Sequence, residues 1–538
     1  MKFIRLFIIS LFIFQTTYGQ TWQDTLALID KSFTQYQSEN PGCQLSVSRN
    51  GNLIFSKAWG MADLERNVPL STNSILEAGS VSKQFTAASI LLLEQQGKLS
   101  LDDDVRKYIP ELPYYGTPIR LRQMLHHTSG LREWEDLVKL TGWPRTKKFY
   151  ANADVLEIIA RQKHLNNKPG EEFLYSNSNY ILLTVIAERV SGLSLQAFTK
   201  KYIFEPAGMI HTQWRDDPNH IVPHRAIAYS KSTNGYVTNM PNEYVYGPGG
   251  LLTTAEDLLK WNNFYQGGRF GRPSLLSKQI QVDPLNNGSA NNYAAGLYIK
   301  SVMGWDNISH DGQTASYTAY LESFPELHLS IAVLSNTSAF DIQNVESSVR
   351  KIFVSDKTEK PGKNDSIITL SRANVKSLTG MYMLEENHYT YQLTVKDSTL
   401  MFQNYVPLLP ASEHIFKSDY LVLDFKGTKG VSIFFSNYTF HFTKVKPVNV
   451  SNKDLALYVG KYFSEEINAS MTIQPESDKL MIRMTASKSY ELIPTYADAV
   501  KVKELACDVV FMRNPKNKIV GIKFYSWGAR GVEFKKIN

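Results

Sequence analysis

The sequence predicts an α+β domain built on an antiparallel sheet, followed by two small antiparallel β modules. Three observations carry this expectation. Strand patterns stand at both ends of the first 355 residues with helical patterns between them, a charged Pro/Gly-containing stretch follows, and the remainder alternates like strand and repeats itself. The 538 residues are 43% apolar and 20% charged, which allows large packed cores and excludes wholesale disorder. A formal charge of +7 is modest, and no Lys/Arg block is long enough for a nucleic-acid arm, so no nucleic-acid partner is expected. Cys43 and Cys507 cannot alone build a disulfide framework or a zinc site.

At the start, Lys2 and Arg5 flank an apolar run over residues 6–14. That run is too short to cross a bilayer as a helix, which takes roughly 18–20 apolar residues. Residues 15–19 turn polar and end on a glycine, so residues 1–19 read as a signal peptide cleaved before Gln20. The mature chain is then expected to be periplasmic or secreted, with no stable membrane insertion. Within residues 44–60, alternating segments flank Asn50-Gly51, a pair that tolerates positive φ and marks a hairpin. Helical patterns fill much of residues 82–204, and a second strand pair over 316–335 turns around Pro325-Glu326. Strands first, helices in the middle and strands last define one domain, 20–355, whose sheet is closed by both chain ends.

Residues 356–370 read as a linker, and the tail divides into modules over 371–447 and 448–538. Gly380-Met381-Tyr382 returns eighty positions later as Gly460-Lys461-Tyr462. Leu400-Met401 returns as Leu480-Met481 and Glu385-Glu386 as Glu465-Glu466, in the same register. Three matches in register indicate a duplication, and about 80 residues suffice for a small antiparallel barrel.

Most signatures of chemistry are absent: there is no G-x-S-x-G elbow, H-E-x-x-H helix, P-loop or G-x-G-x-x-G. His220 and His224 have helical spacing, but Pro223 interrupts them, so no metal and no other cofactor is expected. Gly247-Pro248-Gly249-Gly250 reads as a turn before a threonine-capped helix. The segment that stands out is Gly79-Ser80-Val81-Ser82-Lys83, opening a helix whose run over 85–93 is apolar nearly all round. Ser80 is expected at the first turn, with Lys83 one turn later on the same face. A helix start offers free N–H groups to a developing oxyanion. A buried lysine gives up its proton more readily and can act as base to the serine. S-x-x-K alone is weak, since Ser348 to Lys351 matches and reads as ordinary helix. His126, His127 and Ser129 read as packing, because adjacent histidines cannot easily both face one serine. Cys43 reads as a small buried hydrophobe.

Residues 44–336 resemble the penicillin-recognising serine enzymes, in the branch of class C β-lactamases, D-Ala-D-Ala carboxypeptidases, D-aminopeptidases and related esterases. Ser80 and Lys83 fit that family's nucleophile and base. Gly97-Lys98-Leu99-Ser100-Leu101-Asp102-Asp103, His127-Thr128-Ser129-Gly130-Leu131 and Gly249-Gly250-Leu251 with Thr254-Ala255-Glu256-Asp257 resemble its connecting segments. The resemblance implies a β-lactamase-like fold with an all-helical subdomain. It also implies a Tyr-x-Asn element, for which Tyr150-Ala151-Asn152 and Tyr175-Ser176-Asn177 compete. Tyr175 is preferred, because it stands between a loop and a long helix opening. Tyr175 would then act in proton transfer, and Asn177 would bond Lys83 and the substrate. The third implied element is His310-Asp311-Gly312, with the Gly312 backbone open to substrate and the N–H groups of Gln313 and Ser80 forming an oxyanion hole. Class C β-lactamases carry Lys where this chain has His310, and the histidine form occurs in the peptidase and esterase relatives. Ser316-Tyr317 stands where the family often keeps a Gly-aromatic step, a departure expected to reshape the acyl side of the pocket.

The function expected is therefore an exported serine hydrolase cleaving a small peptide, D-amino-acid amide or ester through an acyl-enzyme on Ser80. Two other classes fit less of the residue set: a penicillin-binding receptor without turnover, and a cell-wall or glycan binder whose β modules do the work. A pure binder has no need of Lys83.

Overall fold

A computed structural model describes residues 22–36, 39–217, 219–357, 368–418, 421–426, 430–435, 438–448, 456–477 and 479–537. The expected signal peptide and most of the expected linker lie outside the described residues. The catalytic-type region is built on six antiparallel strands: β1 (Cys43–Arg49), β2 (Asn52–Trp59), β3 (Tyr298–Val302), β4 (Trp305–Thr314), β5 (Tyr317–Phe324) and β6 (Leu329–Ser335). Their order is β3-β4-β5-β6-β1-β2, so the two ends of the region meet in the middle, β1 against β6. Asn50 and Gly51 turn the β1-β2 hairpin with φ of 51° and 79°. Pro325–Leu327 forms a single 3-10 turn between β5 and β6, where the proline signal placed it.

Strand alternation sends Leu45, Val47, Ile331 and Val333 to one face, where they pack with helices α1 (Trp22–Ser32) and α5 (Ile342–Phe353). The other face, with Ala332 and Leu334, covers α2 (Lys83–Gln95), α3 (Asn177–Ser191) and α4 (Ala255–Gln266). Helix α2 is buried nearly all round, as its apolar run requires, and it packs along α3. Gly192 ends α3 in the left-handed conformation at φ 72°. Ser348 and Lys351 lie within α5, an amphipathic helix remote from the site.

The tail forms two antiparallel assemblies. Eight strands over 380–445 close into a barrel, and nine over 460–537 make one curved sheet. The repeat is visible in atoms. Gly380 and Gly460 both take positive φ, 142° and 153°, with the side chains of Lys444 and Lys536 lying where a Cβ would stand. Tyr382 and Tyr462 each donate a hydroxyl bond four residues back, to Leu378 O at 2.8 Å and Tyr458 O at 2.7 Å. The first module has its own core, whereas the apolar core of the second runs on into that of the catalytic-type region. Cys43 and Cys507 are free and buried, so no bridge joins the two.

Candidate active site

Ser80 sits in a 3-10 turn, Gly79–Ser82, and the α-helix proper begins at Lys83, so the serine stands one step ahead of the helix rather than inside it. Gly79 takes φ 49°, and a Cβ there would lie 2.6 Å from Gln313 N. At Gly312 a Cβ would lie 2.1 Å from Ala78 O and 2.8 Å from Ser80 N. Both glycines therefore let β4 press its backbone against the Ser80 turn. This revises the expectation for Gly312: the closely approaching group is the protein's own Ala78–Ser80 backbone.

The Lys83 side chain is fully buried, and its Nζ has three partners: Ser80 Oγ at 3.0 Å, Asn177 Oδ1 at 2.8 Å and Pro248 O at 2.9 Å. Its ammonium also lies 4.8 Å from the centre of the Tyr175 ring. Burial pulls the Lys83 pKa down to about 7, against the opposing pull of the Glu133, Glu135 and Asp311 carboxylates. Burial holds the Tyr175 phenol well above its ordinary value despite the opposing influence of the Ser80 side chain, so it stays protonated. Tyr150 is elsewhere: its hydroxyl donates to Trp143 O at 2.6 Å.

His310 is buried behind this group rather than lining the cavity. Its Nε2 meets Tyr293 Oη at 2.9 Å, and its ring lies 6.4 Å from that of Tyr175. Burial holds its pKa below the usual value despite the neighbouring Asp311, so it is neutral at pH 7. His127 packs on Tyr175 at 4.2 Å and accepts the Ser176 N–H on Nδ1, while Ser129 donates to Asn179. The packing role expected for these two is what the geometry gives. A cavity of about 200 Å³ opens beside Ser80, walled by Asn177, Gln313 and Thr314 and by the carboxylates Glu77, Glu135 and Glu243 with Arg145 and Arg215.

Three participants carried no readable signal. Pro248 belongs to the segment read as a plain turn, and the expected cap is present, with Thr254 Oγ1 accepting the Asp257 N–H. The same loop nevertheless supplies a carbonyl to Lys83, and a backbone carbonyl has no sequence signature. Glu133 accepts the Asn177 N–H at 2.5 Å, and Glu135 lies 3.4 Å from Asn177 Nδ2. Among the described residues no cluster of His, Cys, Asp or Glu is arranged to hold a metal ion.

Such a serine-lysine centre, on a sheet closed by both ends of its domain, defines a class of serine enzymes. The chain belongs to the beta-lactamase family, whose model matches residues 29–346, more than half of its length. It is 30% identical over 318 residues to penicillin-binding protein 4* of Bacillus subtilis, spanning 54% of this chain and 67% of that protein. By fold it is similar to an octameric penicillin-binding protein homologue from Pyrococcus abyssi, with a TM-score of 0.54, 23% identity, and coverage of 78% of this chain and 99% of that one. It is similar also to a D-amino acid amidase from Ochrobactrum anthropi, with a TM-score of 0.51 and 19% identity over 61% of this chain and 96% of that one.

Proposed function

We propose that the protein is an exported serine hydrolase that opens a small peptide, D-amino-acid amide or ester through an acyl-enzyme on Ser80. The observation that carries the reading is the set of partners around Lys83 Nζ. Two are carbonyl oxygens, which only accept, and the third is a hydroxyl, which can also donate. A neutral amine has two N–H bonds and one lone pair. With its N–H groups given to Asn177 Oδ1 and Pro248 O, the lone pair is left facing the Ser80 O–H. As Ser80 Oγ bonds to the substrate carbonyl carbon, its proton passes to Lys83. The developing oxyanion is taken by the N–H groups of Ser80 and Gln313.

Tyr175 has the opposite character. Its raised pKa makes it a poor base and suits it to hand its phenolic proton to the leaving nitrogen or oxygen, recovering one from Lys83. Asn177 holds Lys83 and faces the cavity, and His310 backs the Tyr175 ring. Glu243, its pKa pushed up to about 7 by burial, shares Arg145 with Glu135 beside the cavity. The apolar run behind Lys2 and Arg5 supports export.

Treatment with a fluorophosphonate probe followed by peptide mass spectrometry tests the assignment. The adduct is expected on the Ser80 peptide and lost in Ser80→Ala. Unchanged labelling of that variant would defeat it.

A further inference from the structure

A loop of the second β module, residues 526–530, reaches into the catalytic-type region beside the start of the helix Trp134–Leu140. Gly528 O accepts the Glu133 N–H at 2.7 Å. Asp136 Oδ2 accepts the Gly528 N–H at 3.0 Å and the Ser526 hydroxyl at 2.8 Å. Asn166 donates to Gly528 O at 2.9 Å and accepts the Arg530 N–H at 2.8 Å. The fit leaves no spare volume, since a Cβ on Gly528 would stand 2.6 Å from Glu133 Cβ. Inward from Glu133 the bonds continue to the reacting group. Its Oε2 accepts the Asn177 N–H at 2.5 Å, and Asn177 Oδ1 accepts from Lys83 Nζ at 2.8 Å.

We propose that this loop is a positioning element of the catalytic site, acting through Glu133 to hold Asn177 against Lys83, so that the second β module is a working part of the enzyme. The proposal rests on the hydrolase reading above. Glu133 touches neither substrate nor reacting atoms; it is a positioning residue with two separable effects. Its hydrogen bond fixes Asn177, and its charge favours the protonated form of Lys83. Its own carboxyl is raised by burial and then by Glu135 and Asp136. Charges facing it are Lys83 from α2, Arg145 from the following loop, and Lys139 on its own helix.

Full-length variants separate the two effects. Acylation of Ser80 by the fluorophosphonate, and kcat and KM on a short acyl ester, are followed from pH 5 to 9 alongside thermal unfolding. Gly528→Ala keeps the charge and displaces the Glu133 side chain. It is expected to fold and to acylate on the order of ten- to a hundredfold more slowly, the loss falling on kcat rather than KM. Glu133→Ala is expected to lose as much. Glu133→Gln keeps an acceptor for the Asn177 N–H, so its alkaline rate should recover most of the loss. Its acidic limb should move to lower pH, because a neutral side chain no longer favours the Lys83 ammonium.

Glu465→Gln removes the charge from an exposed ion pair with Lys163 across the same interface, away from the loop. It should change neither rate nor profile. Should Gly528→Ala fail to fold, Asn166→Ala loosens the loop without adding an atom and should show the same slowing. A folded Gly528→Ala or Asn166→Ala with wild-type rate and profile would overturn the proposal. So would equal slowing in Glu465→Gln, which would reduce the loop to mere docking. A wild-type chain that never labels on Ser80 would fail the hydrolase reading itself, and is distinguishable from both.

Discussion

In the proposed mechanism Lys83 must be neutral to act. Burial disfavours its ammonium more than the surrounding carboxylates favour it, and the balance leaves the pKa near 7. If, as proposed, the neutral amine is the base, kcat/KM is expected to rise with pH through about 7 and to level off above 8. A pH-rate profile checks this, and a rate already flat below pH 6 would contradict it. In the proposed mechanism Lys83, bonded to Ser80 Oγ, and Tyr175, whose ring lies 4.8 Å from Lys83 Nζ, share one proton-transfer step. Lys83→Ala and Tyr175→Phe should each lower kcat by about 10²–10⁴. The double variant should be little worse than either, as for residues acting as one unit. Additive losses measured by single-turnover kinetics would show that they serve different steps.

At the scale of the elements, the strand β4 and the nucleophile turn are held together by the absence of two side chains. Gly312→Ala would drive a methyl into Ala78 O, so it should cost about 1–3 kcal/mol and remove most activity by pushing the turn aside. Tyr150→Phe loses only a bond to Trp143 O and should keep near wild-type kcat. Steady-state kinetics on the two variants discriminates the Tyr175 assignment from its competitor. What was legible in the sequence follows the same division. Ser80 and Lys83 could be read from a serine one turn before a lysine at the start of an apolar helix, whereas Tyr175, Asn177 and Gly312 could be picked out only through the family resemblance. The duplication could be read because Gly380 and Gly460 meet the same positive-φ requirement in both modules. Glu133 could not be read. Its partners, Asn177 and Gly528, are brought to it only by the tertiary fold, and a glutamate before a helix looks like an ordinary cap. His310 showed its place on the strand, but burial behind Tyr293 depends on residues that no spacing links to it.

For the molecule as a whole, the second β module is bound to the catalytic-type region by a buried ion pair. Arg132 and Glu466 are 2.9 Å apart with almost no exposure, and Arg132 also donates to Arg530 O at 2.7 Å and to Gln162 Oε1 at 3.0 Å. Their apolar cores are continuous, while the first module keeps a core of its own. Removing one member of a buried pair strands the other charge in a medium that cannot solvate it, which costs about 3–5 kcal/mol. Arg132→Met and Glu466→Met should therefore each be strongly destabilised. The double variant should recover part of the loss, because neither charge remains. Recovery stays incomplete, since the Lys163 N–H, now bonded to Glu466 at 2.8 Å, and Arg530 O both lose partners. Urea unfolding should show the catalytic-type region and second module melting in one transition. Single variants within about 1 kcal/mol of wild type, the range of an exposed pair, would mean the two bodies are only loosely apposed. Separate transitions for the catalytic-type region and the second module would say the same. In that case a chain ending near Lys360 should fold alone and keep activity. With the pair intact as described, that shortened chain should be unstable, because it exposes the apolar core surface that the second module covers and leaves Arg132 without Glu466 and Arg530 O.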